Sequence, residues 1–216
     1  MKWSYLFTVL TLVSCAPKAE KLRVLPFLGN FDLEYKLVDG KEVVDTIYPK
    51  IPYFSFLNED SLRVTSKDLK GKVWIADFFF TTCSTICPGM TAKMKALNES
   101  TKDLQNDVQF ISFTINPSID KPSVLKGYKT AYSIQASNWI FLTGNEVETH
   151  RLGVENFMIA SGQDANAIDG YAHQEAFSLV DKEGYVRGVY AIQDNKQLKV
   201  LENDLRKLIK EEYGNN

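Results

Sequence analysis

The stretch Val73-Trp74-Ile75-Ala76-Asp77-Phe78-Phe79-Phe80 is almost continuously apolar and runs directly into Thr81-Thr82-Cys83-Ser84-Thr85-Ile86-Cys87-Pro88. An apolar run of this length without alternation is what a central strand covered on both faces requires. Pro88 suits the first turn of a helix, and Met90, Met94, Leu97 and Leu104 continue behind it with helical spacing. Two cysteines therefore fall where a buried strand gives way to a helix. That is the C-terminal edge of a sheet, where open α/β folds place their chemistry.

The other segments fit the same class. Residues 108–115 predict a second strand, 122–133 a helix opened by Asp120-Lys121-Pro122, and 139–142 a short strand closed by Thr143-Gly144-Asn145. Residues 146–157 predict a helix and 161–170 a polar loop. Two strands, 176–180 and 185–190, flank the hairpin turn Asp181-Lys182-Glu183-Gly184. A last helix over 196–213 buries Leu198, Leu201, Leu205 and Leu208 or Ile209 and stops at Gly214. Upstream, residues 33–44 with Asp39-Gly40 at their middle predict a hairpin, and Ile51-Pro52-Tyr53-Phe54-Ser55-Phe56 a short strand in the same N-terminal layer. Residues 66–71 predict one helical turn. The order βαβα, then hairpin and helix, predicts an α/β fold: a thioredoxin-like mixed sheet flanked by helices, with an N-terminal β-hairpin extension.

A chain of 216 residues with 44% apolar content suits one packed domain, predicted to be monomeric. Its net charge of −2 leaves no nucleic-acid footprint. The apolar run Leu6-Phe7-Thr8-Val9-Leu10-Thr11-Leu12-Val13 is too short to span a bilayer, which takes about 20 residues, but suits a secretory signal. Leu12-Val13-Ser14-Cys15 resembles a bacterial lipobox, in which cleavage precedes the Cys and its thiol is diacylated. Acylating Cys15 also resolves the odd count of three cysteines, leaving one pair. Two acyl chains give stable anchoring. The expected organisation is a signal peptide at 1–14, a lipidated tether at 15–30, the hairpin extension at 31–50 and the thioredoxin-like domain at 51–216. The expected location is a bacterial cell envelope, with the soluble domain tethered outside the cytoplasm.

Cys83 and Cys87 are separated by Ser84, Thr85 and Ile86. In a regular helix such positions have Cβ atoms about 5–6 Å apart, wider than the roughly 3.8 Å of a disulfide. A metal with bonds of about 2.3 Å to each sulfur bridges that gap more easily. If the helix starts only at Pro88, Cys83 lies in a loop and the argument loosens. In either case a helix N-terminus lowers thiol pKa, which serves a metal ligand and a redox nucleophile alike. Two thiolates need a further donor. Of the two histidines, His150 reads as a solvated helix residue beside Arg151, whereas His173 ends the polar loop at a position able to overhang the first cysteine turn. Met90 and Met94 read as core. A Cys2His set suits copper(I) and can hold copper(II), with zinc the competing assignment.

These residues resemble the copper-binding assembly proteins of the SCO/SenC family. The resemblance is carried by Phe78 to Pro88, which match F-x-x-T-x-C-x-x-x-C-P, by Ile111-Ser112-Phe113-Thr114-Ile115-Asn116-Pro117 and by the late His173. It implies a thioredoxin-like fold and copper held by Cys83, Cys87 and His173. It also implies delivery of copper to, or reduction of the cysteines of, the binuclear copper site of cytochrome c oxidase. The implied partner is that copper-site subunit or another copper carrier. The chain departs from the family at Ser84, Asn116 and Ala172, where many members have Pro, Asp and Asp. A thiol-disulfide reductase, with Cys83 and Cys87 as a redox-active pair, is the alternative activity.

Overall fold

The computed structural model describes residues 24–165 and 170–214, with the backbone alone at His173. The signal segment and the lipobox at Cys15 lie outside the described residues. Asp39 and Gly40 adopt φ of 53° and 75°, the paired left-handed conformations of a type I′ turn. They join β1 (Asp32–Val38) to β2 (Lys41–Ile47) in a separate two-stranded sheet. The main elements follow in chain order: β3 (Ser55–Asn58), β4 (Arg63–Thr65), β5 (Val73–Phe79), α1 (Cys87–Ser100) and β6 (Val108–Thr114). Next come α2 (Pro122–Ala131), β7 (Trp139–Thr143), and α3 (Glu146–Arg151), which continues as a π-helical turn over Leu152–Asn156. Two short strands, β8 (Ser161–Gln163) and β9 (Tyr171–His173), precede β10 (Ala176–Val180) and β11 (Val186–Ala191). The last helix, α4 (Asn195–Lys207), ends in a π-helical turn over Leu208–Glu212.

The main sheet has the order β11-β10-β5-β6-β7-β3-β4. Strands β5, β6 and β7 are parallel and the outer pairings antiparallel. This is the expected mixed sheet, with three local differences. The strand expected at 51–56 begins only at Ser55 and pairs with β4 and β7 in the main sheet. Before it, the Ile51 N–H is bonded to the Gly184 carbonyl at 2.8 Å and Lys50 bridges Tyr185, so these residues are engaged elsewhere. Residues 66–71 form consecutive turns rather than a helical turn. The backbone closes successive three-residue turns, Asp68 N–H to the Thr65 carbonyl at 3.0 Å and Lys70 N–H to that of Lys67 at 3.3 Å, and the Gly71 N–H is drawn away to the Lys182 carbonyl at 3.2 Å. The polar loop expected at 161–170 contains β8, which pairs with β9.

Alternation along β5 divides the core into two aromatic layers. On one face Phe78 stacks on Phe113 with ring centroids 5.2 Å apart, and Phe54, Phe56 and Phe157 complete the cluster. Gly144 is required here, because a Cβ at that position would lie 1.8 Å from the Phe56 ring. On the other face Phe79 meets Phe141 of β7 and Tyr128 of α2, and the Tyr128 hydroxyl bonds Thr91 of α1 at 2.7 Å. Each such buried ring contributes about 2 kcal/mol relative to exposure, which is why this strand can be almost wholly apolar.

Asp77 and Arg187 are ionisable groups buried inside this structure. Asp77 of β5 shares the face of Phe79, is buried, and has an Oδ1 without a hydrogen-bond partner among the described residues. Burial pushes its carboxyl up to about 7, against a hydrogen bond with Ser112 that pulls the other way. Arg187 of β11 is 2% exposed. Its guanidinium bonds Asp181 at 2.9 Å and Glu212 at 2.6 and 2.9 Å, and its remaining N–H groups donate to the carbonyls of Leu25 and Pro26. Glu212 also accepts from the Val24 N–H at 2.8 Å. The segment that leads into the domain is thereby clamped onto its core.

Two outcomes follow from these charges. Below about pH 4 Asp77 is protonated in folded and unfolded chains alike; as pH rises through about 7 the folded state loses the stability that its bound proton supplies. Asp77→Asn should therefore gain on the native protein by up to about 4 kcal/mol between about pH 4 and pH 8. A pH-independent difference in urea unfolding would contradict this. Arg187→Ala leaves two buried carboxylates without their cation and should cost about 3–5 kcal/mol. Limited proteolysis should then cut within 24–28, a site resistant in the native protein.

Candidate metal and redox site

Strand β5 ends at Phe79 and the chain turns sharply before α1. The turn is stapled by Asp120, which is fully buried at the entry to α2. Its carboxylate accepts the Thr81 N–H at 3.0 Å, and the Thr81 and Thr114 hydroxyls also donate to it. The Asn116 N–H donates to the Thr114 oxygen at 3.1 Å, and the Asn116 amide oxygen accepts from Ser118 at 2.6 Å. The ends of β5 and β6 are thus joined by one buried polar network. Within the turn, the Cys83 N–H donates to the Phe80 carbonyl at 3.3 Å.

Helix α1 starts at Cys87 itself, with Pro88 in its first turn and no side-chain oxygen capping it at Ile86. The Cys87 N–H, one of the donors a helix start leaves unpaired, points at the Cys83 sulfur at 3.4 Å. The Thr85 hydroxyl is 3.6 Å from the same sulfur. Cys83 therefore precedes the helix, and the Cβ spacing of a regular helix does not apply to the pair. Both thiols are buried, Cys83 at 7% exposure and Cys87 at 0%.

The helix start was expected to lower the pKa of both thiols; it does so for one. Burial pulls the Cys83 thiol up, but the Cys87 N–H, the Cys87 thiol and Thr85 outweigh it, and the net shift is downward. At Cys87 burial dominates, the neighbouring Cys83 and Asp77 add to it, and the thiol is strongly raised. Of the two sulfurs Cys83 gives up its proton the more readily, and Cys87 holds its own.

The expected third donor, His173, is the last residue of β9, opposite Ser161 in β8. In the same strand Tyr171 packs its ring against Phe80 at 5.2 Å, so the β8–β9 ribbon abuts the cysteine turn. Ala172 lies opposite Gly162 in this ribbon. His150 is not the solvated residue expected: it is half-buried, its Nε2–H donates to the Ile115 carbonyl at 2.9 Å, and its ring meets Tyr171 edge-on at 6.1 Å. The end of β6, brought close by the fold, offers an acceptor that the helix alone does not reveal. Met90 and Met94 are core, as expected.

Asp120 and Asp77 are the site residues that sequence reasoning passed over. Asp120 reads as part of a helix start, and its role depends on β5 lying beside β6. Asp77 carried a signal, an acid inside an otherwise apolar strand. Two adjacent sulfurs at a helix N-terminus, shielded from water, are donors that fit a soft metal ion.

Comparison with known proteins agrees with this geometry. The SCO1/SenC family model matches residues 47–210. A SCO1/SenC family lipoprotein from Bacillus anthracis is 36% identical, covering 74% of this chain and 94% of its own, with a TM-score of 0.67. BsSco, a member of the Sco family of cytochrome c oxidase assembly proteins in which a disulfide switch was identified, is also 36% identical; the match covers 73% of this chain and 91% of that one at a TM-score of 0.64. Copper-bound ScoI of Bradyrhizobium japonicum, at 19% identity and a TM-score of 0.61 over 74% of this chain and 99% of its own, shares the fold. With sheet, cysteine turn and family match in agreement, the chain belongs to the SCO1/SenC family.

Proposed function

We propose that this protein is a lipid-anchored copper chaperone of the cell envelope that serves maturation of the binuclear copper site of cytochrome c oxidase. Copper is held by Cys83, Cys87 and His173, and Cys15 carries the acyl chains. The observation that carries the reading is the Cys83 sulfur resting on the Cys87 N–H at the start of α1, which brings two soft donors to one point. Copper bound there would be shielded by Phe80 and the aromatic layer beneath it, and the thiols must be reduced to bind it. The family's lipoprotein and oxidase-assembly members support the anchor and the partner. No helix among the described residues is long and apolar enough to cross a membrane. With cleavage before Cys15 and docking of Val24 on the core, the residues between them reach about 30 Å at most, which bounds how far the point of docking stands from the bilayer.

A second reading is favoured by the unequal thiols. With the Cys83 thiol lowered by the hydrogen bonds to its sulfur and the Cys87 thiol raised by burial, the pair suits a thiol-disulfide reductase for the oxidase's copper-site cysteines, Cys83 attacking and Cys87 resolving. Copper carriage and thiol reduction use the same reduced pair.

The reduced full-length protein in detergent should bind about one copper ion with thiolate-to-copper charge-transfer absorption. The Cys83→Ser, Cys87→Ser double variant should lose it; equal copper retention would overturn the chaperone reading. His173→Ala should weaken binding by more than the roughly 10–100-fold that loss of an outer partner costs. For the second reading, Cys87→Ser should trap a mixed disulfide with the apo-oxidase subunit through Cys83. A trap formed equally by Cys83→Ser would refute the assigned order of attack.

A further inference from the structure

The β8–β9 ribbon has three residue pairs and ends at His173. So short a ribbon has little stability of its own, and its position must be set by what it touches. Gln163 and Tyr171 stand directly opposite each other in its register. Both donate to a single oxygen, Glu146 Oε1, the Gln163 amide at 2.7 Å and the Tyr171 hydroxyl at 3.1 Å. Glu146 is the first residue of α3, whose start is fixed by the Asn145 side chain accepting the Glu148 N–H at 2.9 Å. One carboxylate on an anchored helix therefore spans both strands. From the other side the Tyr171 ring lies on Phe80, whose carbonyl receives the Cys83 N–H, and on His150, which is tied to the end of β6.

We propose that Glu146 is a positioning residue for the metal site: through Gln163 and Tyr171 it sets the β8–β9 ribbon, and with it the third ligand, in register with the cysteine turn. This rests on the reading that Cys83, Cys87 and His173 hold copper. Without the Glu146 oxygen the ribbon keeps its cross-strand bonds and the ring contacts of Tyr171 but loses the carboxylate that ties both of its strands to α3. Displacement of about an ångström is enough to loosen a ligand at its far end while leaving both sulfurs in place.

The test uses the reduced full-length chain in detergent with one equivalent of copper(II), comparing native protein, Glu146→Ala, Glu146→Gln, Tyr171→Phe and His173→Ala. Glu146→Ala and Tyr171→Phe should weaken copper binding about 10-fold. They should also move the charge-transfer band and the copper hyperfine splitting toward those of His173→Ala. Glu146→Gln, whose amide oxygen can still accept both bonds, should keep the native spectrum. In metal-free protein, amide exchange at residues 161–163 and 171–174 should quicken in Glu146→Ala and stay native in Glu146→Gln. If Glu146→Ala and Tyr171→Phe keep the native spectrum while His173→Ala alters it, the positioning role is overturned and the ligand set stands. A native spectrum in His173→Ala removes the third ligand, and the positioning role falls with it. Should Glu146→Ala fail to fold, Tyr171→Phe, which retains the ring contact with Phe80, decides.

Discussion

The first N–H of α1 finds no oxygen cap; it finds a sulfur. A helix start leaves donors that must be paired and carries the positive end of the helix dipole, so an acceptor placed there gains from becoming an anion. Cys83 fills this place, and Cys87, as the first residue of the same helix, is necessarily beside it. The geometry of the pair is therefore a consequence of how a buried strand becomes a helix. The Asp120 staple keeps the turn in shape: the Thr81 N–H and hydroxyl from the turn after β5 and the Thr114 hydroxyl at the end of β6 converge on one carboxylate, and they meet there only because the two strands are neighbours.

Burial then divides the two thiols. Cys83 lies at the surface edge of the turn and its sulfur is solvated by protein hydrogen bonds, so its thiolate is stabilised. Cys87 is sealed beneath it, near Asp77 and Tyr128, and the charged form is penalised. Such a pair resists simultaneous ionisation, and a metal ion shared by both sulfurs would have to displace the Cys87 proton, coupling its binding to proton release. The same asymmetry prepares Cys83 for attack on a disulfide. In the proposed function, copper carriage and thiol reduction are alternatives at one site because both begin from one reduced state.

Much of this was legible before any coordinates. The apolar run of β5, the helical spacing of Met90, Met94 and Leu97, and the Asp39-Gly40 turn each have a single physical solution, and each forms where expected. Segments governed by distant partners were not legible in the same way. Ile51 gives its N–H to Gly184, Gly71 gives its own to Lys182, and residues 161–163 become a strand because 171–173 return beside them. His150 shows the same effect on a side chain, since its acceptor, the Ile115 carbonyl, is 35 residues away.

The sequence by itself determined the α/β class, the placement of Cys83 and Cys87 at a strand-to-helix junction and the choice of soft donors, because these follow from periodicity, local turn chemistry and residue type. Only the tertiary structure decided which sulfur accepts the helix N–H, which thiol is raised and which is lowered, that Asp120 ties the cysteine turn to the end of β6, and that Glu146 bonds both strands of the β8–β9 ribbon. Hydrogen bonding and desolvation act through space, and no reading along one strand of sequence can sum contributions from residues that meet only when the sheet is assembled.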